Sequence, residues 1–121
     1  MNSIIFTYQY IVQNYVTFTV TVNSGNFSGE SNFCVSSEKI KEFVNQMKKV
    51  HENLCGKCVL NDTESDDYVI FDYLKFGKVK VNGQVGGSFN DQFLRFSFVT
   101  DQTFVNDVIL YLKKMIGMME K

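Results

Sequence analysis

From Tyr15 to Val22 the chain alternates strictly, with Val16, Phe18, Val20 and Val22 on one face and Thr17, Thr19 and Thr21 on the other. Period-two alternation of β-branched residues predicts a half-buried strand. Upstream, residues 4–12 are rich in Ile, Phe and Tyr and end at Gln13-Asn14. Downstream, Asn23-Ser24-Gly25 predicts a turn leading into Phe27, Phe33 and Val35. Three strands in a meander are expected first. The period then changes: Ile40, Phe43, Val44, Met47, Val50 and Leu54 share one face opposite Lys41, Lys48, Lys49 and Glu52, which predicts a helix from about Ser37 to Leu54. Ser36 is its natural N-cap, Val35 and Ile40 occupy the positions of a hydrophobic staple, and Gly56 is placed to end it in a left-handed conformation.

Four shorter strand candidates follow, at 57–60, 68–73, 76–81 and 84–88, with Asn82-Gly83 as a hairpin signal between the last two. Leu94, Phe96 and Phe98 sit at strand period within 93–100. Thr100 or Asp101 can then cap a final helix carrying Phe104, Val105, Val108, Leu112, Met115 and Ile116 on one face. Lys113 and Lys114 favour its C-terminal dipole, and Gly117 marks its expected end. The order reads βββα-ββββ(β)-α. It predicts an α+β fold in which a twisted, mostly antiparallel sheet has its apolar face covered by two helices, with residues 1–121 forming one domain.

Composition narrows the function classes. A net charge of −1 lacks the basic footprint of a nucleic-acid binder, so no direct nucleic-acid ligand is expected. No segment approaches the roughly 18 consecutive apolar residues of a membrane helix, and the N-terminal apolar run is broken by Thr7, Gln9, Gln13 and Asn14, unlike a signal peptide. A cytoplasmic location is expected, and three cysteines fit a reducing compartment better than a disulfide framework. With no proline, turns fall to glycine, asparagine and aspartate, while twelve phenylalanines suggest a mainly aromatic core.

Cys55-Gly56-Lys57-Cys58 is the conspicuous chemical motif. Thiol oxidoreductases place such a pair at a helix N-terminus, which lowers the thiol pKa. Here it follows a helix, whose end carries negative partial charge and disfavours a thiolate. Adding His51 gives H-x3-C-x2-C, with Cys34 as a fourth candidate ligand for tetrahedral zinc, although Cys34 and Cys55 also suit small buried hydrophobic roles. His51 is the only histidine, and a solvated imidazole complementing the helix dipole explains it as well as a general base does. Neither a GxSxG nor a phosphate-binding loop is present. Gly83, Gly86 and Gly87 do not form a dinucleotide fingerprint. No catalytic residue and no cofactor are expected.

Asp62, Glu64, Asp66 and Asp67 form an acidic run between predicted strands. A solvated turn accounts for it, and so does an electrostatic surface that steers a basic partner. Asp101 and Gln102 are read as cap and first-turn residues. Tyr8, Tyr10, Tyr15, Tyr68, Tyr73 and Phe93 include residues on strand faces opposite the expected core, where aromatics anchor protein partners. The candidate partner-binding set is Asp62, Glu64, Asp66, Asp67, Tyr68 and Tyr73.

Three stretches in order, Phe27 to Glu30 (FSGE), the helix ending in CGKCVL, and FSFVTDQTF from Phe96 to Phe104, resemble the WapI family of bacterial immunity proteins. The resemblance implies a non-enzymatic cytoplasmic antidote that binds the toxic C-terminal domain of a contact-delivered toxin, often an RNase acting on tRNA. It assigns no contact residue. Two other readings stay open: a zinc-stabilised or thiol-bearing domain using His51, Cys55 and Cys58, and an adaptor binding some other protein through an open sheet face or edge.

Overall fold

The computed structural model describes residues 2–120. Strands β1 (Ser3–Val12), β2 (Tyr15–Ser24) and β3 (Phe27–Ser36) precede helix α1 (Ser37–Asn53). Strands β4 (Gly56–Asn61), β5 (Tyr68–Tyr73), β6 (Lys78–Val85) and β7 (Leu94–Asp101) precede helix α2 (Gln102–Met119). The α+β class and the element order match the sequence expectation. The strands divide into two antiparallel sheets, β1-β2-β3 and β4-β5-β6-β7. Gln13 and Asn14 both take positive φ, giving the two-residue reversal that matches strand twist.

Both helices are capped as their sequences dictate. The Ser36 hydroxyl accepts from Lys39 N–H at 3.2 Å, and Asp101, rather than Thr100, accepts from Phe104 N–H at 3.2 Å. Each cap satisfies an amide that the first helical turn cannot. The expected C-terminal ends are displaced. Leu54, not Gly56, takes the left-handed position after α1 and donates its N–H to Val50, which leaves Leu54 exposed and Cys55 outside the helix. Helix α2 runs through Gly117 to Met119, so Lys113 and Lys114 lie more than a turn before its end.

The expected hairpin at Asn82-Gly83 does not form. Both residues sit inside β6, Asn82 opposite Ile70 and Ser97, Gly83 opposite Val69 and Phe96. Glycine is needed there for space rather than for a turn: a Cβ on Gly83 would lie 2.2 Å from the Tyr68 carbonyl oxygen and 3.0 Å from the Phe96 ring. The chain reverses later, beginning at Gly86 and Gly87, whose φ values of 99° and 75° favour residues without a side chain.

Inner faces of both sheets and one face of each helix contribute to a single buried cluster. Seven phenylalanines, Phe6, Phe18, Phe33, Phe43, Phe71, Phe96 and Phe98, are buried, but so are twelve valines, so the core is as much β-branched as aromatic. Connectivity interlocks the halves. Helix α1 leaves the first sheet and packs on β4, whereas α2 leaves the second sheet and packs on β1, and the helices also pack on each other. The outer face of the first sheet is polar, with Gln9, Thr19 and Asn32 linked by hydrogen bonds across its three strands.

Two glycines test this description with opposite signs. Gly83→Ala should destabilise by about 2 kcal/mol or more, because the new methyl meets backbone that cannot yield. Gly117→Ala, in open space within a helix, should stabilise by about 0.5–1 kcal/mol. Urea unfolding of the two variants reads both.

Candidate functional site

The segment joining β4 to β5 carries the acidic run, and the structure splits it into two roles. Asp62 and Asp67 are buried, only 8% and 3% exposed, while Glu64 and Asp66 remain at the surface. Asp62 accepts from Cys34 N–H at 2.9 Å and from Ser65 Oγ–H at 2.6 Å, while Thr63 N–H donates to the Cys34 carbonyl at 3.0 Å. The loop thereby caps the edge of β3 that no strand covers, which would otherwise stand as an open pairing edge.

Asp67 is the centre of a second set. Its carboxylate accepts from Ser31 Oγ–H of β3 (3.1 Å), Gln84 Nε2–H of β6 (3.1 Å), and the successive amides of Gly86 (3.2 Å) and Gly87 (2.8 Å). Consecutive amides in a glycine turn form a concavity suited to an anion, and here the anion is internal. Arg95 Nε–H donates to Gln84 Oε1 at 3.0 Å, so the Gln84 amide nitrogen faces both Asp66 and Asp67. Asp66 accepts from the backbone N–H of Ser88 at 3.0 Å and from its hydroxyl. Those bonds, the hydroxyl's first, hold its carboxyl below the usual range.

The candidate tyrosines separate in the same way. Tyr68 is half-buried on the outer face of the second sheet, between Asn61 and Gln84. Tyr73 points inward with Val69 and Phe71, and its hydroxyl is hydrogen-bonded to His51 Nδ1 at 2.7 Å. Burial, with a smaller contribution from Cys58, pushes the Tyr73 phenol up to about 12. His51 is therefore half-buried against a phenol rather than freely solvated. Asp62, Asp67 and Tyr73 are committed to internal contacts, and Glu64, Asp66 and Tyr68 are the accessible members of the set.

The thiol and metal readings find no assembled site. Cys55 is exposed after the helix, Cys58 is fully buried in β4 with its thiol pushed up to about 11 by burial, and Cys34 lies on β3 in the other sheet. A thiol so desolvated is a poor nucleophile. Among the described residues, no three His, Cys, Asp or Glu side chains come together as a metal site.

Sequence reasoning named Phe93 as a candidate partner anchor but missed the exposed Phe27, Phe76 and Phe89. Phe27, at the turn between β2 and β3, and Phe93, before β7, line one shallow groove with Gly29, Val85 and Leu94. Phe89 projects from the Gly86–Phe93 loop and is 91% exposed. A sequence signal existed: Phe89 stands among Gly, Ser, Asn and Asp with no apolar neighbour. Phe76, on the opposite connection between β5 and β6, is also exposed and takes a left-handed backbone conformation.

The internal roles have measurable consequences. Asp67→Asn places an amide group against donors and should cost about 2–3 kcal/mol, whereas Glu64→Gln should stay within about 0.5 kcal/mol of the parent in the same urea titration. The stability that a neutral Tyr73 contributes is complete below its unfolded-state value of 10 and is lost as pH rises towards about 12. Tyr73→Phe should therefore show a shallower fall in unfolding free energy across that interval.

No helix among the described residues is long and apolar enough to cross a membrane. No curated protein and no solved structure matches the chain. The sequence model of the immunity protein WapI-like family matches residues 5–118 of the 121. Of the strands and helices, that span omits only the first two residues of β1 and the last of α2, and the chain belongs to the WapI-like immunity protein family.

Proposed function

We propose that this protein neutralises a toxin: in the cytoplasm it binds the C-terminal toxin domain of a contact-delivered bacterial toxin and blocks that domain's active site or substrate groove. The family match over nearly the whole chain carries the reading. The mechanism is stoichiometric occlusion, with no bond made or broken by the immunity protein itself.

The toxin domain is a nuclease in this proposal. A nuclease presents positive charge to phosphate, so a negatively charged inhibitor surface attracts it and competes with its substrate. Glu64 and Asp66 supply accessible carboxylates here, with Tyr68 on the adjoining sheet face, while Asp62 and Asp67 hold their loop in place. The hydrogen bonds from Ser88 favour the charged form of Asp66.

The test is co-expression with a candidate toxin domain, the C-terminal domain of a large secreted protein taken from a neighbouring gene. Cells making the domain alone should lose viability, cells making both should grow, and the pair should purify as a stoichiometric complex. Continued killing in the presence of excess folded protein would overturn the proposal. Reversing Glu64 and Asp66 to lysine should slow association about tenfold or more at low salt and flatten its salt dependence. Unchanged association kinetics would remove the acidic loop from the contact.

A further inference from the structure

We propose that Phe27, Phe89 and Phe93 form the apolar centre of a docking surface for a basic protein face; this rests on the toxin-binding reading and names the part of the molecule that carries it. Phe27 and Phe89 are 69% and 91% exposed, and Phe93 is 44% exposed. Large rings left in water at one place mark an interaction surface, since isolated exposure is common but clustering is not. Phe27 and Phe93 share a groove of about 340 Å³, and Phe89 stands on the loop that forms one of its walls.

Charge decides the occupant. The segments at and beside this surface, 24–30, 61–67 and 86–93, expose Glu30, Glu64, Asp66 and Asp91 and contain no lysine or arginine. Arg95, on the neighbouring strand β7, is engaged by Gln84 and lies 5.5 Å from the centre of the Phe93 ring. At the other end of the second sheet, exposed Phe76 is flanked by Lys75 and Lys78. A basic partner is drawn to the first end and repelled from the second.

The surface is also preorganised. Asn90 donates its side-chain amide to the Gly86 carbonyl and its backbone N–H to Gly87 O at 3.1 Å, while Ser88 is held by Asp66. Phe89 therefore projects from a pinned turn. Gly29 fixes the groove floor, where a Cβ would lie 3.1 Å from Val85 and 3.3 Å from Leu94. Loops ordered before binding reduce the entropy lost on association, which favours a few anchoring rings.

The experiment measures binding of the same candidate toxin domain to the full chain and to Phe27→Ser, Phe89→Ser and Phe76→Ser, with melting curves to establish folding. Phe27→Ser and Phe89→Ser should each weaken binding about tenfold or more, and Phe76→Ser should leave it within about twofold. Parent-like affinity in both of the first two variants, or loss only in Phe76→Ser, overturns the surface. If the parent protein fails to bind the toxin domain, the functional reading falls and a second probe decides the surface. Titrating a ¹⁵N-labelled full chain with an alternating arginine–leucine peptide should shift amides within 27–30 and 86–93. Shifts confined to 74–78, or none, would overturn it.

Discussion

A carboxylate buried without a cation is the constraint on which the rest of this structure depends. Asp67 is almost fully removed from water and has four hydrogen-bond donors from three separate parts of the chain. An ionised carboxylate stripped of water and left unpaired costs several kcal/mol, so the donors must be in place whenever the chain is folded. Satisfying Asp67 ties β3 of one sheet to β6 of the other and fixes the Gly86-Gly87 turn beyond it. Asp62 adds the cap on β3. What looks from outside like a negatively charged loop is internally a clamp between two sheets.

The clamp acts on a body that is already interlocked. Because each helix packs against a strand of the sheet it does not follow, neither sheet can bury its apolar face without the other half. Helix packing closes one side of the core, and the acidic loop closes the edge of β3. The loops that the core does not itself order, 61–67 and 86–93, are ordered by hydrogen bonds to one another. A binding surface built on them inherits that order, which links the buried polar network to the exposed phenylalanines.

Much of this was legible in the sequence, for local reasons. Ser36 and Asp101 cap their helices because a side-chain oxygen before an amphipathic run satisfies amides wherever it occurs, and residues 68–73 form a strand as their alternation requires. The same alternation places Tyr73 with Val69 and Phe71, so its burial could have been read from period alone. What was not legible depends on tertiary approach. Asn82-Gly83 has hairpin chemistry, yet its glycine answers to the Tyr68 carbonyl fifteen residues earlier. Nor does a run of four acids reveal which two turn inward, since the donors for Asp67 come from residues 31, 84, 86 and 87. One sheet was expected, and its division into two antiparallel sheets rests on strand pairing that the strand count does not reveal.

The geometry is that of a scaffold whose polar network turns charge inward and leaves rings and a few carboxylates outside. The central claim is that the Gly86-Gly87 turn is rigid because Asp67 holds it. Native-state hydrogen exchange at those two amides tests it most directly. Protection close to that of interior β6 amides is the predicted result. Exchange near the rate of an unstructured chain, in protein that is otherwise protected, would contradict it.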